Sequence, residues 1–275
     1  MTTQELQAVC RQVRRDIVEM TTAAASGHPG GSLSAVELTV GAFYHAMRVD
    51  PANPHWEGRD RFVLSKGHVS PCYYGVLAEK GFFPREELKT FRQLHSRLQG
   101  HPDAKKLPGV DASTGSLGQG VSIANGMALG AKLLGKDTRV FVLCGDGELQ
   151  EGQIWEAAMF AAAKGLGNLI GFTDYNKLQI DGTVAQVNDI APLGAKWAAF
   201  GWNVIDVADG NDVEQVSTAV KQAKANRDTG KPTMVILNTL KGCGVKWIED
   251  LGSANHNTNV SEEQAKAAIA EIREG

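Results

Sequence analysis

The segment of this 275-residue chain whose residue types point most directly to chemistry is Gly145-Asp146-Gly147. Two glycines let a backbone approach a diphosphate closely. The aspartate between them has the wrong sign for a phosphate contact of its own. It suits a hard cation that bridges to phosphate, and Mg²⁺ takes oxygen ligands while keeping phosphate oxygens and water among them. Asn176 follows after roughly thirty residues, about the length of one strand–helix–strand crossover. Asp146 and Asn176 are therefore expected side by side at adjacent strand ends, with the main-chain carbonyl of Leu178 as a third protein oxygen. The rival motif, the dinucleotide fingerprint G-x-G-x-x-G, requires glycine at position 150, where the chain has Gln150. Taken alone, three residues serve equally well as a strand-to-helix turn that merely needs glycine.

The chain has seven histidines. Imidazole suits proton transfer near pH 7. His28, His68 and His101 each follow a glycine in a loop-like segment, where a packing role is hard to build. His45 falls on an amphipathic helical stretch and reads as structural, and His55, beside Pro54, as a surface residue. His95 lies near a loop segment but belongs to no motif.

These residues need a scaffold. Residues 4–25 carry apolar positions at Leu6, Val9, Val13, Ile17 and Met20, a helical spacing that stops at the turn Ser26-Gly27-His28-Pro29-Gly30-Gly31. Ser34 to Met47 reads as a second helix. Residues 61–65, 140–144, 169–173, 203–207 and 233–237 are short apolar runs of the kind found in buried parallel strands. Helical stretches at 119–134, 149–164 and 211–225 alternate with them, and 94–118 is rich in loop residues. The chain closes on Ser261-Glu-Glu-Gln264, a capping-box pattern, followed by a short helix over about 261–273. Strands alternating with helices imply an α/β fold, a doubly wound and mostly parallel sheet flanked by helices. In such sheets ligands bind outside the carboxyl ends of the strands, where nearly all the polar glycine-rich segments fall.

Hydrophobic residues make up 43% of the chain and charged residues 21%, the balance of an ordinary globular protein. A formal net charge of −3 gives no argument for nucleic acid or an anionic membrane surface as partner. The N-terminal segment has no apolar core of a secretory signal, and no run approaches a membrane span. Cys10, Cys72, Cys144 and Cys243 are widely spaced, with no C-x-x-C pair, so reduced thiols in a cytoplasm are expected.

The motifs together resemble the transketolase family. Ser26-Gly-His-Pro-Gly30, Ser65-Lys-Gly-His68, Gly100-His-Pro102, Thr114-Gly-Ser-Leu-Gly-Gln-Gly120, Asp146-Gly-Glu-Leu-Gln-Glu-Gly152 and Asn176-Lys-Leu-Gln-Ile-Asp-Gly182 each match a segment of that family, in its order, within about residues 10–256. The chain departs at Ser116, where proline is common, and at Asn255-His256-Asn257, where the family has a Trp-His-Gly type of context.

The resemblance implies roles. The cofactor would be thiamine diphosphate with Mg²⁺, or another divalent cation such as Ca²⁺ or Mn²⁺, and residues 1–275 would form one domain that holds its diphosphate. Asp146, Asn176 and the Leu178 carbonyl would hold the metal, and His68 and Gly147 would contact the diphosphate. Gly115 and Leu117 would lie near the aminopyrimidine and Ile180 beside the thiazolium. His28, His101 and His256 would surround the reacting carbon, binding donor hydroxyls and moving protons, while the cofactor serves as electron sink. Glu151 matches a structural or subunit-contact carboxylate. The reaction would be transfer of a two-carbon ketol unit from a ketose to an aldose, with sugar phosphates as substrates.

Full-length members are more than twice as long, and their pyrimidine-binding domain, with the glutamate that activates the cofactor, has no counterpart here. A separate C-terminal transketolase subunit is therefore expected as partner, in an α2β2 assembly. Two other readings are a subunit of a different thiamine diphosphate enzyme (a 2-oxo acid dehydrogenase α chain or a deoxyxylulose phosphate synthase) and a non-catalytic relative that only binds a partner. Ser26–Gly30 with Gly100–Pro102 favours transketolase over the first, and retention of every metal ligand and histidine argues against the second.

Overall fold

The computed structural model describes residues 1–274. Among the described residues seven strands occur, β1 (Arg61–Leu64), β2 (Val140–Gly145), β3 (Leu169–Tyr175), β4 (Leu178–Gln179), β5 (Gly182–Thr183), β6 (Asn203–Val207) and β7 (Thr233–Asn238). Five of them form a parallel sheet in the order β1-β2-β3-β7-β6. The short β4 and β5 pair as an antiparallel hairpin.

The strand sequences are apolar on both sides because both faces are covered. Alternate residues of one strand point into different layers. Phe62 and Leu64 of β1, Phe141 and Leu143 of β2, and Val235 and Leu237 of β7 pack into one core. Val63, Val140, Val142, Met234 and Ile236 pack into the other. The first core contains α1 (Thr3–Ala23), α2 (Pro29–Ser34), α3 (Val36–Gly41), α4 (Ser70–Lys80) and, further along the chain, a helix over Val213–Ala225. The second is closed by α5 (Gln119–Leu133), α6 (Gly152–Ala163) and a short helix over Leu193–Ala199. Val184–Asn188 forms α7, which makes Leu193–Ala199 α8 and Val213–Ala225 α9; Lys246–Asp250 is α10 and Glu262–Glu274 is α11.

The five expected strands occur within two residues of their expected limits. The capping box at the start of α11 is formed as its sequence implies: Gln264 N–H donates to Ser261 Oγ at 3.2 Å and Ser261 N–H to Gln264 Oε1 at 3.0 Å. Two expectations need correction. The stretch Ser26–Gly31 is not a turn throughout, because Pro29 takes the first position of α2, where its missing N–H costs nothing. The helix expected over Ser34–Met47 is broken. Ala35, at φ −93° and ψ 4°, separates α2 from α3, and Ala42–Ala46 winds as a π-helical turn. The sequence gives no sign of α4, which is buried along most of its length and so lacks a polar face to mark its period.

Candidate active site

The loops after β1, β2, β3 and β7 meet at the carboxyl edge of the sheet. Gly145 of β2 is in register with Asp174 of β3, and Tyr175 with Asn238 of β7. Asp146 therefore begins its loop beside the end of β3. Its carboxylate is buried, accepts from Gly147 N–H at 2.7 Å and from Lys177 N–H, and so ties the two strand ends together. Asn176 is also buried; its Oδ1 accepts from Leu178 N–H at 3.1 Å and its amide donates to Asp174 at 3.2 Å. These hydrogen bonds hold Asp146 and Asn176 at adjacent strand ends, with Leu178 two residues further on. Burial, then the nearby Asp174 charge, pushes the Asp146 carboxyl up to about 6.

Asp174 anchors this edge. Fully buried, it pairs with Lys66, accepts from Ser34 Oγ at 2.5 Å and accepts from Thr239 Oγ1. Burial alone would raise its pKa, but the Lys66 ammonium and the hydroxyl donors outweigh that and hold it below the usual carboxylate range. A second buried carboxylate, Glu148, gathers the other loops: it accepts from Ser65 Oγ, from Gly118 N–H at 2.9 Å and from Gly145 N–H at 3.0 Å.

The histidines converge beside this framework. The ring centres of His28, His68 and His256 lie 5.0–5.2 Å apart, each near both others. Gly30 makes this possible, since a Cβ there would stand 2.3 Å from Asn255 Oδ1, and the turn carrying His256 could not close on α2. Burial first, and then neighbouring positive charge, lowers the pKa of His28 to about 4 and of His256 to about 3, and drives His68 well below its ordinary value. Burial and the shared positive surroundings thus favour the neutral form of all three rings. His101 stands at the open side, with Gly115 against its ring. Nδ1 of His28 is buried without a hydrogen-bond partner.

Lys241 joins the two halves. Its buried Nζ donates to the Leu178 carbonyl at 3.2 Å and lies 3.1 Å from His256 Nδ1. Burial, then the Lys66 charge, lowers it to about 8. The β4–β5 hairpin packs over Gly147 through Gln179, and at its tip Ile180 is 67% exposed. Leu117 is 36% exposed in the loop before α5. Neither is enclosed by this chain. His95 is exposed and has a left-handed backbone, His55 is exposed, and His45 lies in the π-helical turn; none joins the cluster. Glu151 stands at the N-cap position of α6 without a side-chain capping bond and is exposed, its Cβ lying against Gly118.

Sequence reasoning passes over Lys66, Glu148, Asp174 and Lys241. Lys66 and Glu148 stand inside quoted motifs, and Asp174 two residues before Asn176, so position alone is a usable signal. Lys241 carries none, since its contacts reach 63 residues back along the chain. Among the described residues no cluster of three or more His, Cys, Asp or Glu side chains has metal-ligating geometry; the expected set contains one such side chain, Asp146.

A parallel α/β sheet with a buried aspartate, an asparagine and a histidine cluster at its carboxyl edge defines a cofactor-binding domain of enzyme type. Residues 3–272 match the family model for the transketolase, thiamine diphosphate binding domain. The chain is 46% identical over 268 residues to the 6-deoxy-6-sulfo-D-fructose transketolase subunit of Clostridium sp. (strain MSTE9), covering 98% of this chain and 96% of that one. It is 39% identical to an apulose-4-phosphate transketolase subunit of Actinobacillus succinogenes, with the same coverage. Transketolase from Leishmania mexicana superposes with a TM-score of 0.91 at 31% identity, over 98% of this chain and 41% of that one. This chain belongs to the transketolase family. It spans nearly the whole of the relatives named as subunits and less than half of the single-chain enzyme.

Proposed function

We propose that this chain is the diphosphate-binding, N-terminal subunit of a split transketolase. It would act with a C-terminal subunit in an α2β2 assembly and transfer a two-carbon ketol unit from a ketose phosphate, or a ketose with a comparable anionic end, to an aldose acceptor. The observation that supports this reading is the hydrogen bond from Lys177 N–H to Asp146, which holds Asp146 beside Asn176, together with Lys241, which links the Leu178 carbonyl to His256 of the imidazole cluster.

The residues fit a diphosphate held through a divalent cation. Asp146, Asn176 and the Leu178 carbonyl offer hard oxygen donors of the kind Mg²⁺ prefers, and each oxygen keeps a lone pair beyond the hydrogen bond it already accepts. His68 and Gly147 would hold the diphosphate, the ring by donating N–H to a phosphate oxygen and the glycine by letting the backbone come close to it. Gly115 and Leu117 would flank the aminopyrimidine, and Ile180 the thiazolium. Bound there, thiamine diphosphate supplies the electron sink for breaking a carbon–carbon bond next to a carbonyl.

The chain's own groups manage protons. A neutral ring of His28 or His256 accepts a proton from a donor hydroxyl and returns it, and His101, at the open side, takes the same part for the sugar beyond the cleaved bond. His28 Nδ1, buried without a partner, is an acceptor or donor in waiting for such a hydroxyl. Leu117, Ile180 and Leu240 are exposed apolar side chains on the loops of the site, which suits a surface that a pyrimidine-binding subunit covers. A cytoplasmic setting belongs to the same reading; it is supported by the four cysteines, all of them free thiols. No helix among the described residues is long and apolar enough to cross a membrane.

The test is a coupled assay of the chain paired with a pyrimidine-domain subunit from the same genome, given thiamine diphosphate, Mg²⁺, an aldose phosphate and, in separate arms, phosphorylated and sulfonated ketose donors. Ketol transfer that requires both cofactor and metal supports the proposal. Cofactor-dependent decarboxylation of a 2-oxo acid without ketol transfer would assign the chain to a different thiamine diphosphate enzyme.

A further inference from the structure

Arg92 lies between the segment that carries His28 and the one that carries His101. Its main chain is left-handed, with φ 59°, and its N–H donates to the Leu98 carbonyl at 2.9 Å, closing the loop that leads to Gly100 and His101. Its guanidinium reaches the other way. Nη1 donates to Ser26 Oγ at 2.6 Å, two residues before His28. Nε is buried with no hydrogen-bond partner. The space it fills exists because residue 100 is glycine: a Cβ there would stand 2.8 Å from Arg92 Nε and 3.1 Å from Nη2. Arg92 forms no ion pair among the described residues.

We propose that Arg92 is a positioning residue, whose guanidinium clamps the Ser26–His28 loop against the Gly100–His101 loop and fixes the spacing of these two imidazoles. The inference rests on the reading of His28 and His101 as groups that work on substrate. A residue that merely braced a surface loop would need neither a carboxylate-free guanidinium nor a glycine opposite it. The clamp has an electrostatic consequence as well. His28 faces His68, His256, His101, Lys241 and Arg92; burial is the main cause of its lowered pKa, and Arg92 is the largest of the charges that add to it. His101 is lowered by burial first and then by Arg92. Arginine is suited to this place because it stays charged while its planar fork spans two loops.

Three variants separate clamp from brace: Arg92→Ala, Arg92→Lys and Gly100→Ala. Gly100→Ala leaves both charge and histidines in the sequence but drives the guanidinium from its seat. In the full chain, histidine ring signals are followed by nuclear magnetic resonance against pH. His28 and His101 are expected to titrate at higher pH in Arg92→Ala and in Gly100→Ala, and close to the parent in Arg92→Lys, which keeps the charge. With the partner subunit present, thiamine diphosphate affinity should stay at the parent value, while kcat falls about 10- to 100-fold in Arg92→Ala and Gly100→Ala, the loss that accompanies displacement of a catalytic group by about an ångström. Unchanged ring titrations and parental kcat in both variants would overturn the proposal. If the parent pair shows no ketol transfer at all, the functional reading fails, and the ring titrations still decide the place of Arg92.

Discussion

Asp146 and Lys177 stand at the ends of neighbouring strands, and the carboxylate of the first accepts a hydrogen bond from the main-chain N–H of the second. The bond spans 31 residues of sequence and fixes where Asn176 lies relative to Asp146. Asp146 is also the one anionic group in the proposed metal set. Asp146→Ala should therefore abolish Mg²⁺-dependent binding of thiamine diphosphate, a loss larger than the roughly 10–100-fold that follows changes around a metal's ligands. Calorimetry with the partner subunit present measures it, and full affinity in this variant would remove Asp146 from the metal site.

His28 and His101 face substrate in the proposed arrangement and neither meets the diphosphate. His28→Ala and His101→Ala should bind the cofactor as the parent does and lose about 10²–10⁴-fold in kcat, the usual contribution of a positioned acid–base group. Turnover at the parent rate by either variant would show that its ring takes no part in proton transfer.

The lowered pKa of His28 is also a statement about stability. The free imidazole value is 6.5, and in the folded chain burial lowers it to about 4. Between these values the unfolded chain binds a proton that the folded chain refuses, so this group favours unfolding increasingly as pH falls from about 6.5 to about 4. His28→Gln removes the effect. Denaturant titrations should show the parent losing stability relative to the variant across that window and running parallel to it above pH 7. Parallel curves throughout would place the ring in contact with water.

Much of this site could be read from the sequence because its parts are short and local. Glycine-flanked polar residues at strand ends announce themselves, and the strands carry continuous apolar runs. The framework beneath them could not be read. Ser34 meets Asp174 across 140 residues and Lys66 meets it across 108, and no periodicity encodes such pairs. The break at Ala35 is hidden for a related reason, since α2 and α3 are both buried throughout and show no polar face whose phase would shift. Arg92 has no motif around it that names a role, and its part emerges only when Gly100 and Ser26 are brought to its two sides.

Glu148 offers a measure of that hidden framework. Its carboxylate satisfies the Ser65 hydroxyl and the N–H groups of Gly118 and Gly145 at once. Glu148→Ala leaves buried donors without an acceptor, each costing about 1–3 kcal/mol, so a loss of roughly 3–5 kcal/mol in unfolding free energy is expected. Urea denaturation of the full chain measures it, and a change below about 1 kcal/mol would mean that water replaces the carboxylate.

On the proposed reading this chain carries half of an active site. It would offer oxygen ligands, a place for a diphosphate and imidazoles, while Leu117, Ile180 and Leu240 are exposed on the loops around that site. The most direct measurement follows product sugar from a ketose phosphate and an aldose phosphate at saturating thiamine diphosphate and Mg²⁺, first with the chain alone and then as a pyrimidine-domain subunit is titrated in. The expected result is no turnover by the chain alone, and a rate that rises with added partner and saturates near one to one. Sustained ketol transfer by the chain alone would contradict the claim and require an activating carboxylate within these 275 residues.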